Sequence, residues 1–449
     1  MDWRQLLNKQ RLGKPSASSR ETRSEFQRDY DRIVFSTAFR RLQSKTQVFP
    51  LPETDFIHTR LTHSLESACV GRSLGKIAGR GIIQSNPDLF RAMDLHSDDI
   101  GAVVSAASLA HDIGNPPFGH SGEDAIAEFF LSAEGASYID GLTDAQKADL
   151  QHYEGNAAGF RLLTYTLPTQ SSIGGGLRLT YATLGAFTKY PRSAHRMAEP
   201  RKRASTKKYG FFQSEAETFK TLAGGLGLKP SAALPGRGWH RHPLAFLVEA
   251  ADDICYRIMD LEDGYKLKLL PFSEIKSLLT GLIDGLNTEK LAAIYDEREK
   301  LSYLRAMAIN CLVQQSAQAF VAHQDGLLDG SFDRPLLEVI PGCEVIRTIE
   351  AVSVKQIYAY RKVVEIESAG FEVISGLLEA FLRSVFNPHS HRNRKIAQLI
   401  PAQYLSPGLD RERHRYTVIM NLVQFVAGMT DTFALSTYRT IKGIRLPTV

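Results

Sequence analysis

The sequence predicts an all-α fold. Apolar residues recur at three- and four-residue spacing along most of the chain. These segments stop at Gly and Pro clusters of the kind that end helices. Alternating strand patterns are lacking, and Leu336 to Ile340 is at most a short strand. With 449 residues, 43% hydrophobic and 23% charged, the chain can bury one large core or two to three smaller ones. A formal charge of +5 suits polyanionic small molecules or a local nucleic-acid patch, not a wholly basic binder. Cys69, Cys255, Cys311 and Cys343 lie far apart with no CxxC pair, as expected in a reducing cytoplasm. Residues 1–14 are polar and basic, and no apolar run approaches the length of a bilayer span. A soluble, cytoplasmic protein with no membrane partner is the expectation.

The elements follow in order. Residues 1–23 form a polar lead-in containing Ser16-Ala17-Ser18-Ser19. From Ser24, Phe26, Tyr30, Ile33, Val34 and Phe35 alternate with Arg28, Asp29, Asp31 and Arg32, and the helical pattern continues to Gln43. Pro50 and Pro52 make residues 47–52 an extended connection. Thr62 is the expected cap of a helix reaching about Arg80, with His63 in its first turn. Ile100, Val103, Val104, Ala107 and Ala110 define a buried helix over Asp98–Ala110, with His111 and Asp112 in its last turn. Gly114, Pro116 and Pro117 stop it. Glu123 to Leu131 reads as the next helix and Asp144 to Tyr165 as another. Gly155 inside the latter costs about 1 kcal/mol relative to Ala, which implies a close backbone approach or a break.

Residues 167–240 are the least regular part, with a basic run from Arg192 to Lys208 between two glycine clusters. His242 to Lys266 carries a strong apolar stripe, and Asp252, Tyr256 and Asp260 share one face at i, i+4 and i+8. Beyond Leu269 the pattern is helical over Phe272–Leu286, Thr288–Ala322, Val354–Phe386 and Arg413–Thr440.

A core helix ending in His-Asp carries a desolvation cost that a bound cation would offset. His63, His111, Asp112 and Asp252 together offer two imidazoles and two carboxylates. That set suits a divalent cation such as Mn, Fe, Co, Ni or Mg, and the lack of cysteine argues against structural zinc. His120 and Glu123, beyond the Pro-Pro bend, form a natural proton-transfer pair. Lys189-Tyr190 and Lys208-Tyr209 interleave cations with aromatics, which suits a phosphate and nucleoside pocket.

The order H…HD…D resembles the HD-domain metal-dependent phosphohydrolases. Longer strings narrow the match: RRLQSKTQVF from Arg40, HTRLTHSLE from His58, HDIGNPPFGHSGE from His111, EGNA from Glu154, LTYATLGAFTKYP from Leu179 and EAADDICY from Glu249. The HD dipeptide alone is weak, but this ordered set, with a further Met429-Thr430-Asp431 echo, is similar to the deoxyguanosinetriphosphate triphosphohydrolase family. The resemblance implies an HD-domain helical core over 24–270, with an irregular basic insertion at about 167–240, and additional C-terminal helices over 271–449. It makes His63, His111, Asp112 and Asp252 the ligands of Mn2+, Mg2+ or another first-row transition metal. Asp252 is preferred to Asp253 because Tyr256 and Asp260 follow it at the family's spacing. His120 and Glu123 become the catalytic pair. Gln43, Tyr256 and Asp260 would meet the sugar, and Arg60, Asn156, Lys189, Tyr190 and Lys208 the triphosphate. Water activated at the metal or assisted by His120 would attack the α-phosphorus of a dNTP, dGTP first among them, and release deoxynucleoside and inorganic triphosphate. Where other HD enzymes repeat a His, this chain has Asn115, which receives no catalytic role. A homo-oligomer, hexamer or tetramer, and an allosteric dNTP follow from the resemblance alone.

Two other readings fit part of the sequence. An HD phosphodiesterase or guanosine tetraphosphate hydrolase accounts for the ligands but not for the Gln43 and Tyr256 strings. A nucleic-acid-binding regulator with a vestigial site, holding single-stranded DNA, rests on the basic run at 192–208.

Overall fold

The computed structural model describes residues 1–13, 23–47, 58–167, 176–194, 204–232, 234, 236–405, 408 and 410–444. Residues 14–22 of the expected lead-in, the Pro50–Pro52 connection and the centre of the basic run lie outside them. The fold is all-α, and the described residues pair only as isolated bridges, never as a sheet. Among them, no single helix is long and apolar enough to cross a membrane.

The site-bearing layer begins with α1 (Glu25–Val34), capped by Ser24, whose hydroxyl accepts from Phe26 N. A short helix and a 3-10 turn over Arg41–Ser44 follow. Then comes α2 (Arg60–Ser85), the longest element of this layer and its axis. Thr59 caps α2, not Thr62. Thr62 instead completes the capping box, returning its hydroxyl to Thr59 N at 3.0 Å. The helix therefore starts earlier than expected, and His63 opens its second turn by donating N–H to Thr59 O at 3.0 Å. Against α2 packs α3 (Ser97–Ala110). The two approach so closely that a Cβ on Gly75 would stand 2.9 Å from Gly101 Cα. His111 follows as the C-cap, so His111 and Asp112 stand just past the helix, not within its last turn.

The chain turns through Pro116–Gly119 into α4 (His120–Leu131). The single helix expected over 144–165 is two, α5 (Asp144–Gln151) and α6 (Gly155–Thr164). Glu154 caps α6, so Gly155 opens a helix where an interior position was expected. After α7 (Tyr181–Phe187) the irregular segment leads to α8 (Leu244–Lys266), which packs on α2 and α3. Farther on come α9 (Glu297–Ala322), α10 (Arg361–Phe386), α11 (Arg415–Ala427) and α12 (Asp431–Ile441). Leu336–Glu338 is a 3-10 turn where a short strand was considered.

Two apolar cores result. The first joins α1, α2, α3, α7, α8 and α9. The second joins α4, α5 and α6 to α10, α11 and α12, so it draws on residues either side of position 270. Arg161 of α6 crosses this second region fully buried. It donates to Glu215 (2.5 Å), Ser214 (3.0 Å), Asn421 (2.9 Å) and Gln424 (3.0 Å), tying the irregular segment to α11. A buried guanidinium so fully paired fixes geometry more than it adds stability.

Candidate active site

The start of α2, the end of α3 and the middle of α8 converge on one point. His63 from α2, His111 and Asp112 after α3 present ligand atoms within 4.8 Å of one another. Asp252 of α8 reaches them from the opposite side, its Oδ1 3.1 Å from His63 Nε2 and 3.2 Å from His111 Nε2. His111 Nδ1 lies 2.7 Å from Ser108 O, a carbonyl that only accepts, so that nitrogen carries the proton and Nε2 presents its lone pair. That Nε2 is buried and makes no hydrogen bond. An orphaned imidazole nitrogen facing two carboxylates and a second imidazole is the donor set a divalent cation takes.

The two carboxylates are each held by a cation. Arg60 donates to Asp112 Oδ2 at 2.7 Å and Lys189 to Asp252 Oδ2 at 2.5 Å. Burial opposes ionisation of Asp112, but Arg60 and the imidazoles hold its carboxyl well below the usual range. Burial likewise opposes the charge on Asp252, and Lys189 with His111 outweighs it. The His111 pKa is raised, since Asp112 and Asp252 overcome the effect of burial. Asn115 Nδ2 donates to Asp112 Oδ1 at 2.6 Å, so this residue orients the Asp112 carboxylate.

A second group lies alongside. His120 Nδ1 is 2.9 Å from Glu123 Oε2, and Glu123 Oε1 accepts Gly155 N at 2.8 Å. The His120 pKa is raised by the Glu123 hydrogen bond and charge. Lys208 Nζ sits 3.5 Å from Glu123 and 3.2 Å from Glu154. Asn156 spends its side-chain amide on Glu154 Oε1 at 2.8 Å, so Glu154, to which the sequence gave no role of its own, organises two of the five expected phosphate contacts, Asn156 and Lys208. Gly155 is required here because a Cβ would collide with Asn115 Oδ1 and Glu123 Oε1. It is both a helix start and a close approach. Arg60 joins the two groups: a Cβ on Gly119 would stand 2.7 Å from its Nη2.

The sugar-side candidates lie farther along α8. Tyr256 stacks on Tyr358, ring centroids 5.7 Å apart, and Tyr358 donates to Asp260 Oδ2 at 2.5 Å. Burial pushes the Asp260 carboxyl up to about 8. Gln43 is exposed in the Arg41–Ser44 turn. Its segment is sewn to the start of α2 through the Thr46–Thr59 bridge and Arg60 N donating to Lys45 O at 3.2 Å. Tyr190 is half-buried, with the Arg241 guanidinium 5.5 Å from its ring centroid.

Comparison with known proteins bears on this geometry. No family model matches the chain. It is 42% identical to a deoxyguanosinetriphosphate triphosphohydrolase-like protein of Synechocystis sp., covering 99% of this chain and all of that one. A protein of the same description from Pseudomonas aeruginosa is 41% identical over the full length of both chains. The deoxyguanosinetriphosphate triphosphohydrolase of Yersinia enterocolitica is 31% identical, with 98% of each chain covered. The chain belongs to the deoxyguanosinetriphosphate triphosphohydrolase family. It is a triphosphohydrolase enzyme.

Within this family member, several supporting residues escaped the sequence. Arg241 donates to Lys189 O at 2.6 Å and grips Glu249 through two bonds of 2.7 and 3.2 Å, fixing the Lys189-Tyr190 segment against α8. Glu249 sits one α-helical turn before Asp252, a spacing that gave the only signal. Tyr358 belongs to a π-helical stretch, Ser353–Tyr358, separate from α10, where one helix was expected over Val354–Phe386.

Proposed function

We propose that the enzyme is a metal-dependent dNTP triphosphohydrolase that releases deoxynucleoside and inorganic triphosphate, with dGTP the first substrate to expect. The observation that carries this is the buried, unbonded His111 Nε2 facing His63, Asp112 and Asp252. A divalent cation held by these four residues would supply Lewis-acid chemistry at a phosphoryl centre. Arg60, Lys189 and Lys208 are the cations beside it, and each is balanced by carboxylates, Asp112, Asp252 and the Glu123–Glu154 pair. They would bind and orient the triphosphate as charge-assisted donors.

Glu123 receives the Nδ1 side of His120, which leaves Nε2 free of that carboxylate to exchange a proton with the attacking or departing oxygen. The imidazole is three-quarters exposed, its side chain 75% accessible, so a substrate can reach it. Tyr256, braced by Tyr358, would lie beneath the deoxyribose and exclude a 2′-hydroxyl, while Gln43 and Asp260 would meet the 3′ side. The names of the relatives support the substrate class, and the three cations beside the ligand cluster, Arg60, Lys189 and Lys208, support a polyanionic substrate such as a triphosphate.

The test is to incubate the purified protein with Mn2+ and each dNTP and to separate the products by anion exchange. Intact triphosphate in equal amount to deoxynucleoside is the expected result. Orthophosphate or pyrophosphate as the phosphorus product would overturn the proposal in favour of a different phosphohydrolase.

A further inference from the structure

The turn between α11 and α12 gathers donors from two stretches that the sequence keeps far apart. Arg41 Nη1 donates to Gly428 O at 3.0 Å. Lys45 Nζ donates to Ala427 O at 2.8 Å and to Asn115 O at 2.5 Å. Asp431, the first residue of α12 and only 1% exposed, completes the junction. Its Oδ2 accepts Thr46 N at 2.9 Å and Thr46 Oγ1 at 2.5 Å, and its Oδ1 accepts Phe118 N at 3.1 Å.

Phe118 and Gly119 are consecutive residues in the left-handed region, with φ of +62° and +61°. For a residue with a Cβ that conformation costs about 1–2 kcal/mol and persists only where surroundings hold it. Two things hold Phe118. Its amide is taken by Asp431, and its ring packs so tightly on α10 that a Cβ on Gly370 would stand 3.0 Å away. The next residue but one is His120. Its imidazole is largely exposed and held at Nδ1 by Glu123 at 2.9 Å, so where this pair stands depends on the direction of the chain leaving the turn.

We infer that Asp431 is a positioning residue for the hydrolysis, acting through the Phe118–Gly119 turn to aim His120 at the ligand cluster. The inference rests on the triphosphohydrolase reading above. No hydrogen bond or ion pair joins Asp431 to His63, His111, Asp112 or Asp252, and its carboxylate is consumed by backbone and hydroxyl donors, so it takes no part in proton transfer itself. The same carboxylate fixes Thr46, three residues beyond Gln43, so one side chain of the C-terminal helices sets two edges of the site.

Asp431→Asn keeps size but replaces one acceptor oxygen by a donor. We expect kcat to fall by roughly 30-fold or more, within the range a displaced proton-transfer group loses, while manganese content and KM stay within about threefold. In a His120→Ala background the same substitution should lower kcat by less than about threefold, because the group it positions is gone. Hydrogen exchange across residues 116–120 should accelerate in Asp431→Asn. A residue that merely stabilises the fold would give multiplying losses in the double variant, and that outcome, or unchanged kcat, overturns the inference. Should Asp431→Asn fail to fold, the same cycle is run with Asp431→Glu, which keeps the charge and displaces both oxygens. If the unaltered enzyme releases no triphosphate from any dNTP, the functional proposal fails separately. Exchange at 116–120 then decides whether Asp431 holds the turn, with unchanged rates refuting it.

Discussion

His58 forms a latch whose pH dependence can be worked from the structure. Its Nδ1 lies 2.9 Å from both oxygens of Asp263, and its Nε2 is 3.4 Å from Glu66. Lys266 also approaches Asp263, at 3.5 Å. Burial works against the imidazolium, but Asp263 and Glu66 prevail and raise the pKa from 6.5 to about 10. A group whose folded pKa is raised stabilises fully below its unfolded pKa and loses that contribution as pH climbs through the folded value. The latch should therefore be at full strength near pH 6 and fade between about pH 6.5 and 10. At about 1.36 kcal/mol per pKa unit the shift corresponds to roughly 4–5 kcal/mol. Glu66 is 35% exposed, so solvent screens part of the interaction. We expect about 2–3 kcal/mol between the unaltered protein and His58→Gln at pH 6. Urea denaturation of both proteins at a series of pH values measures this as a difference in midpoint with a common slope. The difference should shrink steadily towards pH 10. A gap that stays constant, or widens with pH, would show that His58 is not held as the imidazolium.

Further outcomes follow from the site. His63→Ala and Asp112→Ala should each abolish both bound manganese, measured by elemental analysis, and turnover; full activity in a metal-depleted variant would remove the cluster from the chemistry. His120→Ala should keep metal and substrate affinity and lose about 10²–10⁴ in kcat, so an unchanged turnover number counts against proton transfer there. Gly119→Ala forces a Cβ onto a backbone at φ +61° and ψ −129°, 2.7 Å from the Arg60 guanidinium. A stability loss of about 1–3 kcal/mol is expected together with impaired turnover, read from denaturation midpoints and initial rates. Native values of both would show that the turn relaxes freely.

What the sequence made legible was local chemistry on regular elements. His111 and Asp112 announced themselves by following a buried apolar helix. Asp252, Tyr256 and Asp260 did so by their four-residue spacing on α8, and the structure brings His111, Asp112 and Asp252 onto one cluster with His63. His120 and Glu123 pair as their three-residue spacing implied. Boundaries were less legible where two caps compete. Thr59 and Thr62 both carry a hydroxyl that can accept an orphan amide, and only the extended backbone at Thr59, φ −97° and ψ 165°, decides between them. The break in the 144–165 stretch was signalled by Gly155 but not located, because Glu154 is equally acceptable as a helix interior residue and as a cap.

Much of what stayed hidden shares one physical property: it acts through backbone groups. Lys45 is buried and faces carbonyls of Asn115 and Ala427 rather than a carboxylate, and burial pulls its pKa down to about 7. A carbonyl is present at every residue, so nothing in the sequence of either partner marks the contact. Asp431 accepts backbone amides of Thr46 and Phe118, and Arg241 donates to the carbonyl of Lys189; amides and carbonyls are likewise silent. Side-chain pairs such as Arg60 with Asp112 leave two chemically complementary letters to be matched. Side chain-to-backbone pairs leave one: the Met429-Thr430-Asp431 echo marked Asp431 without naming its partners, and only the fold shows it 1% exposed at the junction of two helices. The C-terminal helices therefore read as undistinguished amphipathic segments, although it is their turn at Ala427–Asp431 that sets the direction in which His120 leaves the Pro-Pro bend.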